Sequence, residues 1–418
     1  MLEEKSLGEI CSLEEGFIQT GPFGSQLHQS DYTEVGTPVI MPADIIQGKV
    51  LEDKIARVDE NFAEKLKRHK LEIGDIVFAR RGDIGRQALI TSREEDWLCG
   101  TGCLKVNLGK KQIISPSFLH YYFKLPEVIG YLQNQAIGAT MPNLNTEILK
   151  RIPIRYPNLE NQNKIISILS AYDELIENNK KRIALLETMA EELYKEWFVR
   201  FRFPNYENTE FEKGIPKDWV QVNLTDIADI TYGYPFDASR FNTDGIGKKI
   251  VRIRNIPNSS SNDFTDEIVD EKYIVENGDF LIGMDGDFHM NRWYEEESYL
   301  VQRSCRIKAK DKIFDAFIRQ AIKAPIHFFQ STILGATVGH LGAKHLNSIS
   351  FLMPINQLKA LFEQLNSIDN LILKLNNENF NLNQQKNQLL PRLISGKLSV
   401  KHLNIQQPPT PAQPTDNE

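Results

Sequence analysis

A chain of 418 residues is long enough for two or three domains with ordinary cores. Hydrophobic residues make up 41% of it and charged residues 25%, as is usual for a globular protein, so the chain is not disordered overall. The formal net charge of -7 excludes a small basic DNA-binding domain, although a larger domain with local basic patches remains possible on charge alone.

No targeting or membrane segment is predicted. The N-terminus is acidic and lacks an apolar signal core, and no apolar run approaches the roughly 18 to 20 residues that a bilayer crossing requires. We therefore expect a cytoplasmic protein. The four cysteines, Cys11, Cys99, Cys103 and Cys305, lack the paired spacing of a zinc site and are predicted to be buried free thiols, so no metal site is expected.

Residues 1–157 are predicted to form a first mixed α/β domain. Short β-type runs there are separated by Gly and Pro turns, with one helical stretch near residues 116–135. Because strands and helices do not alternate regularly, the domain is not expected to be doubly wound. From residue 158 to 203 the turn signals vanish, which predicts a first long helix.

The second half follows the same plan. Residues 204–354 form a second predicted α/β domain, entered through a linker rich in turn formers at 204–216. A second long helix is predicted within residues 355–404. The Pro- and Gln-rich tail, residues 405–418, is predicted to be disordered.

The two halves also repeat specific residues at a separation of about 200 positions. The matched segments are Gly74-Asp75 with Gly278-Asp279, Gly82-Asp83 with Gly286-Asp287, Val39-Ile40-Met41 with Ile250-Val251-Arg252, Trp97-Leu98 and Cys103 with Tyr299-Leu300 and Cys305, and Gly138-Ala139-Thr140 with Gly335-Ala336-Thr337. Elsewhere the copies differ almost everywhere. This favours a shared scaffold with two different recognition surfaces over a duplication that serves only a two-domain structural protein.

Both long helices carry four heptads of apolar residues, a strong coiled-coil signal. Each seam contains one asparagine, Asn179 in the first helix and Asn379 in the second. A buried amide needs a polar partner, and only an antiparallel pairing brings these two residues together at the centre. Pro391 predicts a kink or an end of the second helix near Leu390.

The predicted fold class is therefore α/β (α+β), with two pseudo-repeated mixed α/β domains separated by two long antiparallel coiled-coil helices. This plan resembles the specificity (S) subunit of type I restriction-modification enzymes over nearly the whole chain. The segments that carry the resemblance, besides the paired Gly-Asp motifs, are Glu196-Trp197-Phe198, Phe201-Arg202-Phe203-Pro204, Gly214-Ile215-Pro216 with Trp219, and Leu389-Leu390-Pro391-Arg392-Leu393 with Ser395-Gly396.

The resemblance implies two target recognition domains, each specific for one part of a split double-stranded DNA sequence, with the helices as a ruler between them. It implies two adenine-methylating modification subunits and ATP-driven restriction subunits as partners. S-adenosylmethionine, ATP and Mg would then be held by those partners, with no cofactor on this chain. The first half departs from the pattern because it has no counterpart to Pro216 and Trp219.

The chain itself lacks the motifs of catalysis. It has no Asn/Asp-Pro-Pro-aromatic tetrapeptide of an adenine methyltransferase and no Gly-Lys-Ser/Thr phosphate loop of a nucleotide-driven motor. Asp285-Gly286-Asp287 suggests a calcium loop, but Met290 stands at the sixth position, where the sharp turn requires glycine. We expect a non-catalytic subunit of a methyltransferase/endonuclease complex.

Sequence-specific DNA recognition requires forked or amide side chains on loops that a rigid scaffold supports. In the first half the candidates are Phe23, Ser25, Gln26, Arg80, Arg81, Arg86, Asn143 and Asn145. In the second half they are Tyr234, Phe236, Arg240, Arg252, Arg254, Arg292, His340, Lys344 and His345. For each residue the alternative is a phosphate contact or an ordinary surface position. Gly74-Asp75 and Gly278-Asp279 are assigned to the scaffold, as turns that enter strands.

The leading hypothesis is thus a non-catalytic DNA sequence-specificity subunit. The alternative is a coiled-coil scaffold protein whose α/β domains bind protein partners only. A third hypothesis, an enzyme in its own right, is disfavoured by the missing motifs. The bases recognised cannot be derived from the sequence, because recognition depends on loop geometry.

Overall fold

The structure, a computed structural model, describes residues 2–111, 113–136, 143–333, 339–354 and 359–405. It forms two compact units. The first unit contains residues 1–174 and 384–418, and the second contains residues 175–383. Two predicted features, the paired Gly-Ala-Thr segments and the tail from residue 406, lie outside the described residues.

The first unit is a mixture of short helices and short strands. Its helices, besides its parts of the long pair, are Leu7–Glu14, Glu60–Lys65, Pro116–Tyr122, Pro126–Ala136 and Thr146–Lys150. Its strands are Glu3–Ser6, Glu15–Thr20, Tyr32–Thr33, Thr37–Ile40, Ile45–Ile46, Lys49–Val50, Ala56–Val58, Ile76–Ala79, Gln87–Leu89, Leu98–Cys99, Cys103–Gly109 and Pro153–Tyr156.

One antiparallel sheet of the first unit positions its functional loops. Its strand order is Glu15–Thr20, Cys103–Gly109, Ile76–Ala79 and Gln87–Leu89. Since side chains alternate along a strand, Phe78 and Leu104 lie in one core while Val77 and Cys103 pack on the opposite side against Ile40. Ile40 belongs to a second sheet, of order Leu98–Cys99, Thr37–Ile40, Ala56–Val58 and Tyr32–Thr33.

The second unit repeats this architecture. Its helices, apart from the long pair, are Leu224–Ile227, Asp315–Ala321, Lys323–Ile333 and Ala343–Asn347. Its strands are Phe211–Glu212, Ile215–Pro216, Trp219–Asn223, Ala228–Tyr232, Phe241–Asn242, Lys248–Val251, Phe264–Thr265, Ile274–Val275, Phe280–Gly283, Met290–Arg292, Ser298–Leu300, Ser304–Ala309 and Ser350–Pro354. The predicted mixed α/β folds are confirmed.

The antiparallel sheets of the two units correspond strand by strand. The equivalent antiparallel sheet has the order Ala228–Tyr232, Ser304–Ala309, Phe280–Gly283 and Met290–Arg292. Each unit also contains a parallel pair, Thr37–Ile40 with Leu98–Cys99 and Lys248–Val251 with Ser298–Leu300. Strand Glu3–Ser6 is the counterpart of Trp219–Asn223, because each pairs with the last strand of its domain.

The repeated Gly-Asp turns are scaffold, as predicted. The glycines of Gly74-Asp75 and Gly278-Asp279 have φ of 92° and 94°, where a side chain would be strained. Each aspartate then pairs with a cation on the neighbouring strand, Lys105 at 3.1 Å and Arg306 at 3.2 Å. Desolvation raises the pKa of Asp75, and the ammonium of Lys105 opposes that rise.

The register corrects one sequence equivalence. Val39 pairs with Leu98 in the first unit, and Ile250 pairs with Tyr299 in the second. Tyr299 is therefore the counterpart of Leu98 and not of Trp97. The apolar pattern could not fix this register, because the strands are too short and too uniformly buried to show alternation.

The two long helices are Leu159–Tyr194 and Lys359–Ile394, the first followed by a π-helical turn at Lys195–Val199. In the first unit their segments run antiparallel, as predicted. Tyr172 bonds to Gln385, whereas Lys164, a little over two turns earlier, bonds to the carbonyl of Lys401. In the second unit the helix segments bury a shared apolar cluster, made of Ile183, Ala190, Ile368, Ile372 and Leu375.

The second long helix does not end where Pro391 predicted. It continues through Pro391 to Ile394, one turn beyond Leu390. The missing N–H of Pro391 costs one hydrogen bond, but Leu390, Leu393 and Ile394 are buried in the core of the first unit. Apolar packing therefore holds the last turn in helical form.

Asn179 and Asn379 are buried in the second unit, as seam positions should be. No hydrogen bond joins the two amides among the described residues, contrary to the prediction, and Nδ2 of Asn179 and Oδ1 of Asn379 are buried without a partner. The apolar neighbours Ile183 and Leu375 pack in the same cluster. The register thus follows from apolar packing and not from pairing of the two amides.

One aspartate on each long helix holds the adjoining α/β domain. Asp173 accepts hydrogen bonds from Tyr121 and Lys386, both at 2.7 Å, in the first unit. Burial alone would raise the pKa of Asp173, but these bonds outweigh burial and lower it. In the second unit Asp369 pairs with Arg292 and Arg319. We call these groups the first and second carboxylate clamps.

Of the segments that carry the family resemblance, those between residues 196 and 219 form part of the core of the second unit. Trp219 packs against Phe198 and Phe203, each with a centroid distance of 5.6 Å.

All four cysteines are free and buried, as predicted. Among the described residues no helix is long and apolar enough to cross a membrane.

Candidate nucleic-acid interface

In the first unit, three loops meet at one end of the antiparallel sheet. The loop that follows strand Ile76–Ala79 begins at Arg80, whose N–H donates to Gly102 O at 2.8 Å. The carbonyl of Arg80 accepts from Leu144 N at 2.9 Å, and Arg81 forms an isolated β-bridge with Asn143. The Arg80 guanidinium also donates to Asn143 Oδ1 at 3.0 Å. These backbone bonds fix the loop that carries the arginines.

The loop at residues 21–26 lies at the same end of the sheet, because Gly21 N donates to Cys103 O at 2.9 Å. Phe23 at its tip is 60% exposed. Gln26 accepts from Phe23 N at 3.1 Å, which makes the loop a tight turn, and Ser25 is exposed beside it. Residues 21–26, 80–86, 100–102 and 143–145 are the first loop cluster.

The arginines of the first loop cluster differ in their freedom. Arg86 pairs with Asp83 at 3.0 Å, and Arg80 is half-buried against Asn143. Arg81 is exposed, and its guanidinium has no ion-pair partner within the described part of the chain. Asn145, by contrast, caps helix Thr146–Lys150 by accepting from Ile148 N at 2.9 Å. The side chain of Asn145 is thus committed to the helix cap.

The second unit builds the same frame from different residues. Met284 N donates to Arg303 O at 2.8 Å, Leu341 N donates to Met284 O at 2.7 Å, and Asp285 forms an isolated β-bridge with His340. Gly233 N donates to Ser304 O at 2.9 Å, which brings in the loop at residues 233–236. Residues 233–236, 284–289, 301–303 and 339–342 are the second loop cluster.

Asp285 is the centre of the second loop cluster. One carboxylate oxygen is 2.5 Å from His340 Nδ1, and the other is 3.1 Å from the Arg303 guanidinium. An ionised carboxylate only accepts, so Nδ1 of His340 is the donor in this pair. Asp285 itself is mostly buried, whereas the side chains of His340 and Arg303 are 61% and 67% exposed.

Two of the predicted DNA-binding residues are core residues. Arg292 is only 7% exposed and is held by Asp369 in the second carboxylate clamp. Phe236 is 5% exposed and packs on Tyr299 with a centroid distance of 5.5 Å. The sequence shows that Arg292 and Phe236 lie near turns. It does not show that Asp369 pairs with the arginine or that Tyr299 packs on the phenylalanine. Neither side chain can reach a base edge in this structure.

The other candidates of the second half have mixed positions. Arg252 and Arg254 flank a turn beside Gly283 and both lie near Asp263, which Arg254 contacts at 2.6 Å. Arg240 pairs with Asp266 at 2.7 Å and is not joined to the second loop cluster by any described contact. The remaining residues are Tyr234, half-buried against Tyr273, exposed Lys344, and His345, which accepts from Gly342 N at 3.0 Å. Their contact with DNA stays a prediction.

Arg303 and the role of Asp285 were not predicted from the sequence. The sequence did contain a signal for Asp285, because aligning the repeated Gly82 with Gly286 makes Asp285 equivalent to Arg81. Arg303 had none, because its position is defined only by the backbone bond to Met284. Also missed was the basic run Lys65–Lys70, which borders a groove of about 540 Å³. Glu72 and Asp96 line the same groove and offset much of its charge.

The chain matches one family model along most of its length. The model, described as the type I restriction modification DNA specificity domain, matches residues 2–188 and 216–390. The chain is 27% identical over 396 residues to the type I restriction enzyme MjaIX specificity subunit of Methanocaldococcus jannaschii, covering 88% of each protein. It is 29% identical over 156 residues to the type I restriction enzyme EcoBI specificity subunit of Escherichia coli, which is 37% of this chain and 33% of that protein.

The fold is shared with a solved structure. The type I restriction-modification system S subunit from M. genitalium superimposes with a TM-score of 0.54 at 16% identity, covering 94% of this chain and 96% of that one. At this identity the likeness supports the fold. The two matched regions of the family model each contain one of the loop clusters described above.

Proposed function

Since the chain belongs to the type I restriction-modification DNA specificity family, we propose that each of its two units recognises one half of a split DNA sequence through its loop cluster. The observation that carries this proposal is the duplicated bridge. Arg81 with Asn143 and Asp285 with His340 occupy one backbone frame with different side chains. Two domains that recognise different base sequences need the same rigid backbone support with different polar side chains on it.

The proposal assigns catalysis to partner subunits. The specificity subunit would direct adenine methylation by two modification subunits and cleavage by restriction subunits, and S-adenosylmethionine, ATP and Mg would bind to those partners. The long helices support this assignment, because they leave large apolar side chains in solvent. Leu185 and Met189, one turn apart, are 67% and 51% exposed, and Leu371 is 49% exposed. Apolar side chains at such positions are suited to helix–helix docking.

The test is an exchange of recognition units within the complete complex. Residues 1–157 are replaced by the same region of a related specificity subunit, and methylated adenines are mapped in a host genome. The half-sequence recognised by the first unit should change completely, while the other half stays the same. A chimera that methylates one new contiguous sequence would contradict the proposal.

A control separates loss of assembly from loss of recognition. The chimera is co-purified with its modification subunits before methylation is mapped, and only assembled complex is scored. Retardation of duplex DNA should require the methylation sequence. If the assembled wild-type complex binds every duplex equally, the alternative of a protein-binding scaffold is favoured.

A further inference from the structure

Arg303 has a backbone conformation that an arginine seldom adopts. Its φ is 67°, in the left-handed region, where a non-glycine side chain is strained. Its counterpart in the first unit is Gly102, with φ of 82°, because Arg80 N donates to Gly102 O as Met284 N donates to Arg303 O. Glycine adopts this conformation at little cost. The second unit therefore has a strained arginine at a position where the first unit has an unstrained glycine.

The side chain of Arg303 is exposed and oriented. It lies 3.1 Å from Asp285 Oδ2, while Oδ1 of the same carboxylate bonds to His340 at 2.5 Å. Asp285 is held in turn by the backbone bridge to His340. A guanidinium that is ion-paired with a carboxylate on one side still presents N–H donors to solvent in a rigid plane.

That chemistry selects one ligand among the base edges of duplex DNA. A planar guanidinium matches the O6 and N7 acceptors of guanine in the major groove with two parallel hydrogen bonds. An ammonium or an amide at this position would not match that pair of acceptors equally well. Strain that persists at an exposed loop residue indicates a role beyond folding.

We propose that Arg303 is a specificity-determining residue that contacts a guanine in the half-sequence recognised by the second unit, and that Asp285 and His340 position it. The proposal rests on the proposed function. It adds the base type and the contacting side chain. In the first unit Arg81 is the corresponding free arginine, but it projects from the position that Asp285 occupies in the second.

The decisive variant is Arg303→Gly, which installs the residue that the first unit uses at the same place. Because glycine relieves the left-handed strain, the unfolding temperature should stay the same or rise. The assembled complex is then tested on duplexes that carry each base-pair change in the second half-sequence. Arg303→Gly should lose discrimination at one G·C pair by roughly 5- to 150-fold and keep discrimination elsewhere.

Two further variants define the positioning role. Asp285→Asn should lose part of the discrimination at the same base pair, and the double variant should lose no more than Arg303→Gly alone, since the two residues act as one unit. Arg155→Ala is the matched control, because Arg155 is also an exposed arginine paired with a carboxylate, that of Glu4, but lies in the first unit outside both loop clusters. It should leave discrimination unchanged.

Other outcomes overturn the proposal. A uniform loss of affinity on every duplex, with a salt slope smaller by about one, would make Arg303 a phosphate contact. Unchanged discrimination in Arg303→Gly, with a wild-type complex that distinguishes the half-sequence, would remove Arg303 from recognition while leaving the proposed function intact. A wild-type complex without sequence preference would overturn the proposed function itself.

Discussion

In both units a backbone bridge joins the loop after a central strand to the segment before a short helix. The bridge lies at Arg81 and Asn143 in the first unit and at Asp285 and His340 in the second. A cation and an amide thus occupy the places that an anion and an imidazole occupy in the other copy. The backbone hydrogen bonds of this frame are common to both copies, whereas the side-chain contacts at the bridge differ, so the side chains can diverge while the frame is kept.

The carboxylate clamps show the opposite relation. An aspartate stands at matching places on the two long helices, Asp173 and Asp369, and each contacts its adjoining domain. Their partners differ, with a tyrosine and a lysine in the first unit and two arginines in the second. The anion was kept and its donors were exchanged. The clamps therefore have the same role in both units, which is to attach the domain to the long helix. The loop clusters share a backbone arrangement but carry chemically different side chains.

The largest expected effect is on stability, and it should differ between the two clamps. Asp369→Ala leaves Arg292 and Arg319 buried without a counterion, and the resulting loss of unfolding free energy in the second unit should be about 3 to 5 kcal/mol. Asp173→Ala should cost the first unit less, because Asp173 and its cation Lys386 are 31% and 16% exposed and water can replace the partner.

Hydrogen exchange measured separately over the two units of the full-length protein tests this difference. Asp266→Ala serves as the control, since Asp266 forms an exposed pair whose loss should cost no more than about 1 kcal/mol. Equal losses for Asp173→Ala and Asp369→Ala would show that the two clamps are energetically alike despite their partners.

The arginines of the first loop cluster should act on one half-sequence only. Arg81→Ala removes an exposed guanidinium that has no ion pair among the described residues, so binding of the complex should weaken by about 1 to 3 kcal/mol if Arg81 contacts a base. Discrimination should relax in the first half-sequence and remain in the second. Titrations at several salt concentrations provide the measurement. Unchanged affinity in Arg80→Ala, Arg81→Ala and Arg86→Ala would remove this loop from the interface.

Periodic and repeated features were predictable from the sequence. The heptads predicted the two long helices, and the repeated Gly82 and Gly286 marked two equivalent loops. The antiparallel direction was inferred from a pairing of Asn179 with Asn379, and the direction is confirmed although the two amides do not bond. Features fixed by distant hydrogen bonds were not predictable. The pairing of Cys103 with Ala79 and of Ser304 with Gly283 makes Ser304, and not Cys305, the counterpart of Cys103. Only the strand register contains that information.

Burial decided which site predictions survived as candidates. Arg81 and Arg292 look alike in the sequence, since each lies close to one of the repeated segments Gly82-Asp83 and Gly286-Asp287. Their environments differ because Asp369, almost 80 residues from Arg292 in the chain, neutralises one of them. The local sequence pattern around an arginine does not show such a distant partner. It is the long-range partners, more than local propensity, that separate scaffold arginines from candidate DNA contacts.

The helix pair offers a smaller contrast between the units. In the first unit Lys386 donates to Asp173 at 2.7 Å, whereas in the second Asn179 Nδ2 and Asn379 Oδ1 have no partner among the described residues. An unsatisfied buried polar group costs about 1 to 3 kcal/mol. Asn179→Leu and Asn379→Leu should each stabilise the second unit, and the double variant should be the most stable while its helix register loosens.

Chemical denaturation and cysteine cross-linking check this prediction. Cysteines at positions 179 and 379 should form a disulfide within one chain, whereas cysteines at 179 and 375 should do so less readily. If either single leucine variant is less stable than the wild type, the two amides are hydrogen-bonded to each other in solution and the seam depends on their pairing.

The last contrast concerns Lys124, which lies in the first unit beside the first clamp. Burial lowers its pKa from 10.5 to about 8, against the opposing charge of Asp173. The folded chain therefore releases this proton at a lower pH than the unfolded chain, so the stability of the first unit should rise from about pH 8 toward pH 10. Lys124→Met should remove that rise and stabilise the unit at pH 7, where the wild type holds a buried charge. Unfolding temperatures of both proteins between pH 7 and pH 9.5 measure the difference, and parallel curves would show that Lys124 keeps an ordinary pKa in the folded protein.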